Sequence, residues 1–322
     1  MKRTFCIGVA GLVLLPCMKT IAAEPAYPVR PLRIVTGFPP GGNTDIIARA
    51  MAQKLTERVG QQVIVENRPG AGSMIGTDFV AKATPDGYTL LLVSGAVTTQ
   101  SAVMKKLPFD ALRDFAWISN AVSYPFAVVV KPDAPMQNIA DLIAVAKKSP
   151  GKLNYASVGI GSVLHLAAEL FNATANVETT HIPYKGGAEP MLELMSGRID
   201  LLFETLTSAF PHLQSGKIRA LAVTSLERSQ QMPNLPTVAQ TLPGFEVSSF
   251  SGFAAPRGTP PERIARLNRE MRAALEHADI RKRFTDMGGT IVPSTPEEFG
   301  RRVASEIAKW KKIAAAKKIE IQ

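Results

Sequence analysis

Two hydrophobic rhythms alternate along this chain. Leu32 to Val35 is a short strand-like run, and Ile46, Ile47, Ala50, Met51, Leu55 and Val59 then recur at helical spacing up to Gly60, a helix-stop signal. Gln62 to Glu66 predicts a second strand. After the turn Asn67-Arg68-Pro69-Gly70-Ala71-Gly72 comes a helix carrying Ile75, Phe79 and Val80, and Pro85-Asp86-Gly87 leads into a strand over Tyr88 to Val93. Strand and helix in this order predict a parallel sheet with helices on its faces.

The stretch Phe115 to Val130 breaks the rhythm. It reads as two extended segments in tandem, interrupted at Ser119-Asn120 and Tyr124-Pro125, and suits a crossing between lobes. The alternation then restarts. Helices are predicted over 139–148, 162–174, 189–196 and 208–215, and strands over 153–157, 179–182, 199–203 and 218–224. A proline-rich connector (232–244), a strand (245–250) and a helix (262–276) follow. Thr295-Pro296-Glu297-Glu298 is a capping box that starts a last helix burying Phe299, Val303, Ile307 and Trp310. That helix needs a sheet, and the first lobe is its natural host. The expected division is residues 24–122 with 228–322 in lobe one and 123–227 in lobe two, an α/β architecture whose two crossings form a hinge.

The start of the chain changes what this fold is for. Lys2 and Arg3, the apolar run Phe5 to Cys17 and the small residues Ile21-Ala22-Ala23 match a secretory signal peptide over 1–23, cleaved near Ala23 and too short to span a bilayer. Both cysteines, Cys6 and Cys17, lie in it, so the exported chain has neither disulfide nor thiolate. The formal charge of +10 falls to +7 without Lys2, Arg3 and Lys19. The basic residues are scattered with no basic-aromatic cluster, so no nucleic-acid partner is expected; the charge suits small anions or a solvated surface.

Candidate chemistry sits at two glycine turns. Phe38-Pro39-Pro40-Gly41-Gly42-Asn43-Thr44-Asp45 joins a strand to a helix, leaving unpaired N–H groups and a positive dipole end, a ready anion site. Asp45 either contacts the ligand or only caps the turn. Ser157-Val158-Gly159-Ile160-Gly161-Ser162 repeats the pattern in the other lobe, with Ser162 as N-cap, and the two turns are read as facing halves of one carboxylate site. His165 is a structural hydrogen-bonder or a supporting residue. Ser94, ending the Tyr88–Val93 strand, and Tyr184, after a lobe-two strand, join the candidates. Glu204, just past a predicted strand, either accepts a hydrogen bond from the ligand or is a solvated loop residue.

Enzyme chemistry finds less support. Gly70 to Gly76 lacks the dinucleotide spacing, and Tyr184-Lys185-Gly186-Gly187 lacks that of a phosphate loop. The histidines His165, His181, His212 and His277 show no metal-ligand spacing. No cofactor and no metal are expected. A secreted hydrolase using Ser162 is the alternative, without the Gly-x-Ser-x-Gly elbow and without an acid to orient His165.

The chain resembles the substrate-binding proteins of tripartite tricarboxylate transporters, the Bug-type periplasmic solute receptors. The resemblance is carried by Tyr27-Pro28-Val29-Arg30-Pro31, the Phe38–Asp45 turn, Glu66 to Gly72, Pro85-Asp86-Gly87-Tyr88-Thr89-Leu90, Pro150-Gly151-Lys152-Leu153-Asn154-Tyr155, Pro183-Tyr184-Lys185-Gly186 and Gly216 to Ala222. It implies a type II periplasmic-binding-protein-like fold, two α/β lobes closing like a flytrap, and a monomeric receptor without enzymatic activity. The ligand it implies is a small organic carboxylate (di- or tricarboxylate, aromatic or amino-acid), pinched by backbone N–H groups of the two turns and delivered to a membrane permease or a sensor. Glu204 stands where the family more often has aspartate, Met74 where asparagine is frequent, and Thr98-Thr99-Gln100-Ser101 departs from the usual asparagine-proline.

Overall fold

The computed structural model describes Met1 and residues 27–319. Apart from Met1, the expected signal segment and its cleavage point near Ala23 lie outside the described residues. The first lobe opens with β1 (Leu32–Thr36), α1 (Asn43–Val59), β2 (Val63–Asn67), α2 (Met74–Ala81), β3 (Thr89–Ser94) and α3 (Gly95–Val103). Strands β2, β1 and β3 run parallel, as the alternation requires. Gly60 ends α1 in the left-handed region at φ 69°, which its missing Cβ permits.

Strand β4 (Phe115–Val130) is continuous where two segments were expected. The polar break at Ser119-Asn120 becomes a pair of register irregularities against β9 (Ser248–Pro256). Ser294 ties the backbone there: Asn120 N–H donates to Ser294 Oγ at 3.0 Å and Ser294 N–H to Ser119 Oγ at 3.2 Å, while Asn120 Oδ1 is buried without a partner among the described residues. Through Pro125 the strand pairs with β9, and from Phe126 it pairs with β7 (Leu201–Thr205) and β8 (Arg219–Val223), so one strand serves both lobes. The second lobe adds α4 (Ile139–Lys148), β5 (Asn154–Ser157), α5 (Val163–Ala175), β6 (Thr180–Pro183), α6 (Glu189–Ser196) and α7 (Leu206–Gln214). The sheet order is β2-β1-β3-β9-β4-β7-β5-β6.

At the crossing, Phe126 N–H donates to Thr224 Oγ1 (2.9 Å), whose O–H reaches the Val247 carbonyl (2.6 Å), while Val247 N–H donates to the Thr224 carbonyl (3.0 Å). Thr224 thus ties outgoing and returning chains together. Before that return, Met232 and Leu235 pack on the second-lobe cluster of Leu202, Leu206 and Val223.

Helices α8 (Pro261–Glu276) and α9 (Ala278–Asp286), the short β10 (Thr290–Ile291) and α10 (Pro296–Lys317) complete the described chain. The capping box forms, with Thr295 and Glu298 bonding each other's backbone N–H. Phe299, Val303, Ile307 and Trp310 are all buried, and Phe299 meets Trp117 and Phe250 edge-on, which seats α10 on first-lobe strands. Helix α3 was not expected from the pattern. Every residue from Gly95 to Gln100 is buried, so no polar face marks it as amphipathic.

Candidate functional site

Four strands end at the crevice between the lobes, and each hands the chain to a helix. β1 leads to α1, β3 to α3, β5 to α5 and β7 to α7. The N-cap residues of those helices, Gly42, Ser94, Ser162 and Thr205, all line one cavity, whose space including its open mouth is about 520 Å³. Each N-terminus carries roughly half a positive charge from its unpaired N–H groups. Among the described residues no Lys, Arg or His lines the cavity, so these poles are its source of positive potential.

The first turn is braced from its own lobe. Asp45 Oδ2 accepts from Gly41 N–H (3.1 Å) and Arg49 Nε (2.9 Å), and Asn67 Nδ2 donates to Asp45 Oδ1 (3.0 Å) and the Phe38 carbonyl (2.9 Å). Burial alone would raise the Asp45 carboxyl; bonds from Arg49, Asn67 and Gly41 outweigh it and hold it below its usual range. Asp45 is therefore a brace of the turn and does not line the cavity. Gly42 brings no capping side chain, which leaves the first N–H groups of α1 open.

The second turn is braced from beneath by an aromatic stack. His165 and His181 lie with ring centroids 4.0 Å apart, and Tyr155 stacks on His181 at 4.9 Å. Gly161 N–H donates to His165 Nδ1 (3.1 Å), and Ser157 Oγ bonds His181 Nε2 (2.6 Å). Burial, then the neighbouring His181, pushes His165 down to about 3; burial pushes His181 to about 4, so both rings are neutral. Ser162 Oγ accepts from His165 N–H at 3.3 Å, a capping bond to the backbone. The His165 ring is engaged with Gly161 through Nδ1, and among the described residues no hydrogen bond joins that ring to Ser162 Oγ. That geometry gives the hydrolase reading no support.

Of the expected contact residues, Phe38, Gly42, Asn43, Thr44, Ser94, Ser162 and Glu204 line the cavity together. Gly41, Ser157, Gly159, Gly161 and His165 shape the turns behind it, Pro40 is exposed, and Tyr184 packs against the second-lobe cluster. Glu204 is not a solvated loop residue: it lies inside β7, 5% exposed, with Oε1 accepting from Thr205 N–H (2.7 Å) and Thr205 Oγ1 (3.0 Å). Burial pushes its carboxyl up to about 7 against those two bonds. Sequence reasoning missed Gly95, Tyr124, Phe126, Thr205 and Ser249. Ser94 as an N-cap could have signalled the α3 terminus; Ser249 carries no local signal.

The lobes meet closely around this space. A Cβ on Gly42 would stand 3.2 Å from Gly187 Cα, and one on Gly159 would stand 2.9 Å from Gly72 Cα. Asn43 Oδ1 accepts from Thr207 Oγ1 across the crevice, and Asn43 Nδ2, buried at the cavity wall, has no partner among the described residues. Among the described residues no helix is long and apolar enough to cross a membrane.

Known proteins place this geometry. The chain is 35% identical to protein BugT of Bordetella pertussis, over 96% of both chains. The solved periplasmic binding protein BugD is 33% identical with a TM-score of 0.89, covering 92% of this chain and 100% of its own. An R. palustris protein solved with adipate is 34% identical with a TM-score of 0.89, covering 91% of this chain and 99% of its own. Residues 47–319 match the tripartite tricarboxylate transporter family receptor model, and the chain belongs to that family of Bug-type receptors.

Proposed function

We propose that this chain is a monomeric periplasmic receptor, without enzymatic activity, that captures a small organic carboxylate between its lobes and delivers it to the permease of a tripartite tricarboxylate-type transporter. One observation carries the reading: four helix N-termini converge on a cavity that, among the described residues, no cationic side chain lines. A pole contributes about 0.3–1 kcal/mol toward an anion, and up to ~2 kcal/mol where partly buried. Two of them with hydroxyl donors make a credible carboxylate anchor. The adipate held by the R. palustris relative supports the same ligand class, and the site is completed by one chain.

In this reading the open N–H groups of Asn43, Thr44, Val163 and Leu164 grip the carboxylate, with Phe38, Ser94 and Ser162 around it. Gly41, Asp45, Ser157, Gly159, Gly161 and His165 hold the turns in shape. The hinge lies where chains cross, at Tyr124–Phe126 and Thr224–Val247. A ligand touching both lobes favours the closed state by its differential contacts.

Native mass spectrometry of protein isolated from the producing cell should show a co-purified organic acid. A thermal-shift panel of mono-, di- and tricarboxylates should then identify stabilising ligands, at about 2.7 kcal/mol when present at 100 times the dissociation constant. Absence of a bound acid together with no shift from any carboxylate would overturn the reading.

A further inference from the structure

Glu204 is the formally charged side chain among the residues lining the cavity. Strand β7 ends at Thr205, the N-cap of α7, so Glu204 arrives one residue before a helix N-terminus. Its Oε1 takes the Thr205 N–H and Oγ1–H, the position an external anion would occupy on that pole. Thus three poles, those of α1, α3 and α5, are open to a ligand, and the fourth already holds a carboxylate belonging to the protein.

Surrounding groups fit this division. Oε2 of Glu204 accepts no protein hydrogen bond among the described residues. Tyr124, which has Asn43 and Glu204 in its surroundings, has its hydroxyl bonded to β9, with the Phe250 carbonyl at 3.2 Å and Ser251 Oγ at 3.0 Å. Asn43 Nδ2 is buried, unpartnered and at the same wall. Among the described residues no lysine or arginine stands there to neutralise a second ligand carboxylate.

Resting on the carboxylate reading of the cavity, we infer that Glu204 is a built-in counterpart of a ligand's second carboxylate, so that this receptor selects monocarboxylates whose far end offers an O–H or N–H donor and rejects dicarboxylates. The free Oε2 is an acceptor awaiting a donor. Above pH 7, where the Glu204 carboxyl is mainly ionised, a dicarboxylate would bring a like charge against it in a buried space, where repulsion is poorly screened. A hydroxyl at the far end would donate to Oε2 and accept from Asn43 Nδ2; an ammonium would donate and cancel the charge.

Isothermal titration calorimetry at pH 8.5 with length-matched acids tests this: succinate against 4-hydroxybutyrate and 4-aminobutyrate, and glutarate against 5-hydroxyvalerate and 5-aminovalerate. In the wild type, at least one donor-ended acid should bind tenfold or more tightly than the dicarboxylate of its length. Glu204→Gln keeps an oxygen for Thr205 N–H and should cut that preference at least tenfold. Dicarboxylates binding as tightly as donor-ended acids to the wild type, or a preference unchanged in Glu204→Gln, would overturn the inference while leaving a carboxylate receptor in place. Failure of all six acids to bind would overturn this inference, while the carboxylate reading falls only if no acid co-purifies and the wider panel of mono-, di- and tricarboxylates also gives no shift.

Discussion

Thr99 Oγ1 donates to the Gly161 carbonyl at 2.6 Å, joining helix α3 of the first lobe to the turn that starts α5 in the second. Beside it, Gln100 Nε2 donates to the carbonyls of Ala71 (3.1 Å) and Gly72 (2.8 Å), while Gly72 faces Gly159. Helix α3 therefore acts as a wall against which the second lobe closes. Thr99→Val keeps the shape and removes the donor. One such bond is worth about 0.5–1.5 kcal/mol, so ligand affinity measured by calorimetry should fall roughly 2–10-fold. An unchanged affinity would show that the bond does not distinguish open from closed.

Gly42 tests closure from the opposite rim. Its φ of −89° is open to any residue, so Gly42→Ala introduces no backbone strain. The added Cβ would stand 3.2 Å from Gly187 Cα, tighter than ordinary contact. Overpacking of this kind costs about 1–3 kcal/mol, and here it is felt only when the lobes meet. Affinity should drop roughly tenfold, with the ligand-free melting temperature nearly unchanged. Small-angle scattering of the ligand-saturated variant should show a larger radius than the wild type.

Acid should act through the His165–His181 stack. Above pH 6.5 both rings are neutral whether the chain is folded or not, and they contribute no pH dependence. As pH falls below 6.5 the unfolded chain takes up protons that the buried rings refuse until about 4 and 3. Stability is lost across that window, by up to about 1.4 kcal/mol per pH unit for each ring. Urea midpoints measured from pH 7 to 4 should fall, and His181→Gln should flatten the decline.

Glu204 pulls the other way. Its folded carboxyl titrates near 7 and the unfolded one near 4.5, so between those values the folded chain holds the extra proton. Its contribution is present at pH 4.5 and lost as pH rises toward 7. Glu204→Gln should therefore raise stability at pH 8 relative to the wild type more than at pH 5, again read from urea midpoints.

The last helix anchors the first lobe. Trp310 is 1% exposed, and Trp310→Ala should cost about 3–5 kcal/mol through lost burial and the cavity left behind. Thr295→Ala removes one half of the capping box and should cost about 1 kcal/mol. A similar loss for both in urea unfolding would mean that α10 is held as much by its cap as by its face.

Local order was legible in the sequence because it is written over a few residues. Helical spacing, Gly60 and the Thr295–Glu298 box set the boundaries of α1 and α10, and glycine turns after β1 and β5 marked two of the four poles. The other two were legible only in part, as Ser94 and as a helix over 208–215, and tertiary packing decided that both termini reach the cavity. Helix α3 is buried all along its first turns and so lacks the polar face that periodicity detects. Glu204 looked like a loop residue because β7 extends to Thr205, and its pairing with Ala127 comes from a distant strand. Even at Phe38–Asp45 the sequence determined the turn but not its roles: Asp45 is turned inward by Arg49 and Asn67, while Asn43 faces the cavity. Backbone shape follows from nearest neighbours, whereas the charge a ligand meets depends on elements far apart in the chain.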